Sequence, residues 1–368
     1  MFAFGIEHEV AFLNRQGVFA DYTNTTFEEF DRIVAQLPRY EADYPQLRIG
    51  DAGIKVKRWY IEGFERYSLE GGVTACPPKG IEIRTTIHSS IAGAVQELTE
   101  SFDLLRQVAH AEGFTPVLVS YHPYQRAFTP NPPLNAYEQQ RRVLSPEKRT
   151  AFLPMVTYGP DLNLSLQEMS NAEIIDAGKK LTYYSPFIVP FSASSPFYEG
   201  KAWEGLSVRT FIRTGIRPAT MIFLERPEDL IASSPSLTKQ ARLPAEVGRI
   251  EFKACDSCAD FTLYAALLAL LKGLLLDETL PERLLVPDTA LHQVAARKGF
   301  ADARIEEGAW NILEAASKAL CDDSDHAYLR PLYTLLREKK TPAHALIQAY
   351  QSTGSIEEAL QTTYPTTT

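Results

Sequence analysis

The sequence predicts an α+β fold. Strand-like alternation dominates the first two-thirds of its 368 residues, helical periodicity fills the last third, and no regular strand–helix–strand wind links the two. With 45% hydrophobic and 23% charged residues the chain can bury a large core. No composition break or long Gly/Ser linker divides it. The expectation is one domain over 1–368, with a strand-rich core over 1–260, a helical part over 260–360 and a frayed tail over 360–368.

Residues 2–13 alternate as a strand and run into Asn14-Arg-Gln-Gly17, a hairpin turn. Further strand-like runs are 54–61, 80–86, 115–120, 155–166, 219–224 and 248–254. Residues 89–112 place Ile91, Val95, Leu98, Phe102, Leu105 and Val108 at helical spacing, with His88 a candidate cap. A second helix is expected over 168–184 and several more over 260–350. The most apolar stretch, 263–276, is interrupted by Lys272 and falls short of the roughly 20 residues a membrane span needs. It reads as a buried core helix. The long Pro-, Ser- and Gly-rich connections over 123–135 and 192–205 are candidate lids or binding loops.

The formal net charge of −9 argues against nucleic acid or an anionic membrane as partner. Small molecules are the expected partners, with a homo-oligomer compatible. No basic, apolar leader opens the chain, and four cysteines fit a reducing cytoplasm. Cys255 and Cys258 form a lone C-x-x-C and read as core thiols. No Ser-His-Asp or Cys-His arrangement is legible. His8 falls on the apolar face of its strand, a core position. His110, His292, His326 and His344 lie in helical patterns as structural or exposed residues. His122, ahead of a loop with Arg126, is a candidate for lining a site.

Strand parity carries the chemistry, because successive side chains point to opposite faces. Over residues 3–12, Glu7 and Glu9 share one face while Phe4, Ile6, His8 and Val10 share the other. Gly80-Ile-Glu-Ile-Arg84 puts Glu82 and Arg84 opposite isoleucines. Pro160-Asp-Leu-Asn-Leu-Ser-Leu166 puts Asp161 and Asn163 opposite leucines, and Arg249-Ile-Glu-Phe-Lys253 puts Arg249, Glu251 and Lys253 opposite Ile250 and Phe252. Any one such strand is explained equally well by a solvated face. Four together are unusual, since their polar positions are nearly all metal ligands or phosphate binders, flanked by small residues such as Gly5, Ala11, Gly80 and Gly248. Converging carboxylates repel one another, so Arg, Lys or bound metal must offset them. Glu7, Glu9, Glu82, Asp161 and Glu251 are the candidate ligands, and an all-oxygen set favours Mg²⁺, with Mn²⁺ the alternative. A nucleotide is the natural companion. No Walker A or kinase-type glycine loop is present, so ATP would be met by Arg84, Arg249 and Lys253.

The order of these motifs, with Ser192-Ala-Ser-Ser-Pro-Phe197, Ser207-Val-Arg209, Asp256 and a late Val294-Ala-Ala-Arg-Lys-Gly299, resembles the glutamate–cysteine ligase type 2 family. These are bacterial carboxylate–amine ligases of the glutamine synthetase-like superfamily, and the resemblance extends to about residue 300. It implies an antiparallel β-sheet funnel with helices on its outer face. It also implies that a substrate carboxylate, such as glutamate, attacks the γ-phosphate of ATP to give an acyl phosphate that an amine captures. Glu7, Glu9, Glu82 and Glu251 would then hold metal. Arg249 and Lys253, with Arg84, would serve the transferring phosphate. Arg209 would bind the substrate carboxylate, with Arg213 a second candidate. Arg297 is divided between phosphate contact and a helix surface.

Two departures stand out. The family has His-x-His where this chain has Asp161-Leu-Asn163, and more often Arg where it has Lys253. Asp161 can still ligate metal, and the Asn163 amide can still donate to phosphate. A catalytically silent nucleotide- or amino-acid-binding protein on the same fold is the alternative reading, and a metal-dependent hydrolase a third. Neutralising Glu9 or Glu251 is expected to abolish turnover and leave the fold intact or slightly more stable.

Overall fold

The computed structural model describes residues 1–43, 58–144 and 146–364. Its nine-stranded sheet is built on the long first strand, β1 (Phe2–Leu13). The others are β2 (Phe19–Ala20), β3 (Trp59–Gly63), β4 (Pro78–Arg84), β5 (Thr115–Val117), β6 (Pro160–Leu166), β7 (Thr220–Leu224), β8 (Thr238–Gln240) and β9 (Ile250–Phe252). Their order is β8-β7-β9-β6-β1-β4-β3, with β2 and β5 paired to the far half of β1. All pairings are antiparallel except β7 with β8, which run parallel. The sheet is therefore mixed where an antiparallel one was expected. The excursion over 225–237 returns the chain to the side where β7 began, as a parallel pairing requires.

The expected parity holds along β1: Phe4, Ile6, His8 and Val10 are buried, and Glu7 and Glu9 are half-buried on the other face. Asn14 closes the hairpin, accepting from the Gln16 and Val18 amides through its side chain, and Gly17 takes the positive φ of 73° that the turn needs. The strand expected over 54–61 is found as Trp59–Gly63; positions 54–57 lie outside the described residues.

Apolar faces of β1, β4, β6 and β9 pack into one core with the helices, in which Ile6, Ile83, Leu164 and Phe252 meet Leu98, Leu181, Leu267 and Leu313. Helix α1 (Phe27–Gln36) opens with a capping box, Thr26 with Glu29, and α3 (Asn171–Ile188) with Ser170 and Glu173. Between them, α2 (Ile91–Ala111) is capped by Ser90, not His88, whose ring instead lies 2.5 Å from Glu97. The leucine-rich α4 (Thr262–Leu276) is apolar nearly all round and is the buried core helix expected. No helix among the described residues is long and apolar enough to cross a membrane. Five further helices lie between Thr289 and Gln361.

The expected frayed tail is corrected as far as residue 364. Leu360 and Tyr364 are buried, and the Tyr364 hydroxyl lies 3.0 Å from His8 Nε2 while the Tyr264 hydroxyl lies 2.8 Å from Nδ1. His8 is thus a satisfied core residue, and burial pushes its pKa down to about 3.

Candidate functional site

The polar faces of six strands line one cleft of about 380 Å³, within the range of small-molecule sites. Register sets the carboxylates against each other: Glu9 lies opposite Glu82, Glu7 opposite Asp161, and Glu251 opposite Asn163. Two trios result, Glu7–Asp161–Glu251 and Glu9–Glu62–Glu82, and within each trio the carboxylate oxygens lie within 4.8 Å of one another.

Glu62 was missed in the sequence because the expected strand ended at residue 61. Extending the Trp59/Ile61 alternation by one position places Tyr60 and Glu62 in the cleft. The Tyr60 hydroxyl contacts Glu62, donates to Glu82 Oε2 at 2.6 Å and accepts from Arg84 Nη2 at 2.6 Å.

Lys79 was missed for a different reason. Parity assigns it to the face of Ile81 and Ile83, but Glu62 pairs with Gly80 and Gly63 with Pro78, so Lys79 is the extra residue of a bulge. A bulge re-aims a side chain. The Lys79 ammonium, almost wholly buried, donates to Glu9 Oε2 at 2.8 Å and to the carbonyls of Pro154 and Thr157 at 2.7 Å each. The next residue must be glycine, since a Cβ at Gly80 would stand 2.2 Å from the Val10 carbonyl oxygen. Its smallness serves strand packing, not ligand space.

Of the expected cations, Arg84 donates to Glu82 at 2.6 Å and lies 3.7 Å from Glu7. Arg249 stacks over Phe223 at 4.0 Å and stands 3.7 Å from Glu7, and its buried Nε has no hydrogen-bond partner among the described residues. Lys253 contacts Asp161 and lies 3.0 Å from Glu251. Asn163 also lines the cleft, and its buried Oδ1 is without a partner among the described residues. An unpartnered amide oxygen beside all-oxygen donor sets fits a hard divalent ion.

Charge is unevenly offset across the cleft. Burial pushes Glu82 well above the ordinary carboxylate range, and neighbouring Glu62 and Glu9 add to this against Arg84. Glu7 and Glu62 are also raised, chiefly by burial. Asp161 is raised to about 6 by burial, with Glu251 and Glu7 adding and Lys253 opposing. Burial acts the same way on Glu251, but Lys253 and Arg249 outweigh it and hold this carboxyl low.

Several expected residues lie elsewhere. Arg209 is buried behind the cleft, donating to the carbonyls of Lys253, Ala254 and Cys255 at 3.1, 3.2 and 2.6 Å. Its guanidinium packs so closely on Gly159 that a Cβ there would sit 2.1 Å from Nη2. Arg213 is buried and donates to the Pro218 carbonyl at 2.8 Å. Neither lines the cleft, and both have structural work in place of the expected substrate contact. His122 faces Asp21 at 2.8 Å and accepts from the Tyr124 and Gln125 amides, fixing a turn away from the site. Arg297 lies exposed over Phe211 at 4.7 Å. Neither long connection contributes a lining residue. Cys255 and Cys258 are buried thiols, the former pushed up to about 12 by burial.

A sheet with helices packed on one face and an acidic cleft on the other is the glutamine synthetase-like fold that was expected. Solved structures agree on the fold. A bifunctional glutathione synthetase from Pasteurella multocida matches with a TM-score of 0.62 at 12% identity, over 98% of this chain and 51% of that one. A glutamate–cysteine ligase from Francisella tularensis in complex with AMP matches with 0.55 at 12% identity, over 98% and 86%. The model of glutamate–cysteine ligase family 2 matches residues 3–217, and the chain belongs to that family. That match ends well short of the expected residue 300. Relatives named "Putative glutamate--cysteine ligase 2" include one from Gloeobacter violaceus, 27% identical over 53% of this chain and 54% of its own, and one from Chromobacterium violaceum, 28% identical over 48% and 49%. The chain spans about half the length of the curated relatives it matches.

Proposed function

We propose that this protein is an ATP-dependent carboxylate–amine ligase, with glutamate and cysteine the substrates that its relatives' names favour. The observation that carries this is the pair of carboxylate trios lining one cleft together with Arg249, whose buried Nε has no hydrogen-bond partner among the described residues. Mg²⁺ or Mn²⁺ bound by these carboxylates would neutralise charge on the phosphate oxygens. Arg249 would steady the transferring phosphate, and Arg84 with Tyr60 would hold Glu82 in place. The AMP held by the Francisella ligase supports nucleotide use on this fold. Four cysteines among 368 residues are few and support a reducing, cytoplasmic setting.

Incubation with ATP, Mg²⁺ and a panel of amino acids is expected to release ADP and phosphate only when an acid and an amine are both present. No ADP with any pair, from folded protein, would overturn the proposal. Nucleotide binding without turnover would mark the silent binding protein instead.

A further inference from the structure

We propose that Lys253 fills the Glu7–Asp161–Glu251 trio as a built-in cation, so that the protein takes a single divalent ion, at Glu9–Glu62–Glu82. This rests on the reading of the cleft as a metal site and narrows it.

The geometry of the two trios differs in where the lysine stands. The Lys253 ammonium contacts Asp161 Oδ2 and lies 3.0 Å from Glu251 Oε1, touching two of three carboxylates whose oxygens lie within 4.8 Å of one another. Such a space accommodates one cation. The third member, Glu7, is flanked by Arg84 and Arg249 at 3.7 Å each. Lys253 therefore already stands close to two of these three carboxylates, and an added ion would be forced against its ammonium.

In the other trio Lys79 stands to one side. Two of its contacts are backbone carbonyls, and its close carboxylate contact is with Glu9 alone, Glu62 lying 3.9 Å away. The Gly159 amide also donates to the same Glu9 oxygen, at 3.0 Å, which leaves the second oxygen to the trio. Tyr60 and Arg84, themselves in the cleft, hold Glu82 at Oε2 and Oε1 respectively. Among the described residues, no ammonium makes close contact with two of these three carboxylates.

The test is a titration of the metal-free whole chain with Mn²⁺, counting bound ions by the loss of the free-ion electron paramagnetic resonance signal. One ion per chain is expected for the wild type, two for Lys253→Met, and at least about 10-fold weaker binding for Glu82→Gln. Two ions on the wild type, or one on a folded Lys253→Met, would overturn the lysine assignment alone. No ion on the wild type would overturn the metal reading with it. Should Lys253→Met fail to fold, the wild-type count and Lys253→Gln still decide.

Discussion

The two carboxylate trios sit side by side on the same face of β1, yet their charges are handled by different structural means. In one, Lys253 reaches Asp161 and Glu251 from the same polar face, as simple alternation dictates. In the other, Lys79 arrives from the wrong face through a bulge and is tied down by two carbonyls before it meets Glu9. The outcome shows in the acids. Glu251 is held low by its cations despite burial, while burial and neighbouring glutamates drive Glu82 well up. Regular strand geometry collects the carboxylates; burial raises most of them, Asp161 included although it contacts Lys253, and Glu251 is the one its cations hold low.

The largest test of this contrast removes the two lysines in turn. Lys79 is 1% exposed, and its loss leaves Glu9 without its cation and takes the ammonium donor from two carbonyls. Lys79→Met is expected to cost about 3–5 kcal/mol, the usual penalty for breaking a buried pair. Lys253→Met, at a side chain 15% exposed and free of carbonyl anchors, should cost clearly less in the same urea titration. Equal losses would erase the distinction between a structural and a site lysine.

A smaller effect should appear in pH dependence. Asp161 is raised to about 6 from the ordinary 3.8, so the folded state binds this proton more tightly than the unfolded chain does. Its contribution to stability is full below about pH 4 and is lost as pH rises through about 6. Relative to wild type, metal-free Asp161→Asn should gain stability over that window, by at most about 3 kcal/mol. A difference that stays flat with pH would mean that Lys253 fully compensates the carboxylate.

Much of this site was legible in the sequence because parity is robust wherever strands are regular. Glu7, Glu9, Glu82, Asp161, Asn163, Arg249, Glu251 and Lys253 all reach the cleft that alternation assigned them. What escaped lay where regularity ends. Glu62 stands one residue past the expected strand, and Lys79 sits in a bulge that alternation alone assigns to the opposite face. Arg209 misled for another reason. It follows a serine-rich segment that suggests a binding loop, but Ser194, Ser195 and Asp256 hydrogen-bond one another in the interior, and Arg209 closes over the same backbone. Spacing alone does not reveal that a guanidinium has three carbonyls within reach. The parallel β7–β8 pair likewise depends on an excursion whose path no local pattern encodes.

The smallest expected effect separates two glutamates directly opposite each other. The sequence led us to expect that neutralising any one of several clustered acids would relieve repulsion. For Glu9 the structure argues otherwise, because its Oε2 accepts from the buried Lys79 ammonium and the Gly159 amide. Glu9→Gln weakens a charge-assisted contact and is expected to cost about 2 kcal/mol. Glu251, the other acid of that expectation, is paired to Lys253 and belongs with Glu9 in this respect. Glu82 is different: it is buried against Glu62, and its charge is disfavoured even with Arg84 beside it. Glu82→Gln keeps a group able to hydrogen-bond with Tyr60 while removing that charge, so its melting temperature should equal or exceed that of the wild type. Both variants should still lose turnover, since each removes one carboxylate from the proposed metal trio. Melting curves in chelator with the order Glu82→Gln, wild type, Glu9→Gln from highest to lowest would support the asymmetry. The reverse order would mean that Arg84 offsets Glu82 better than Lys79 offsets Glu9, and that the aim of the lysine is not what sets the charge.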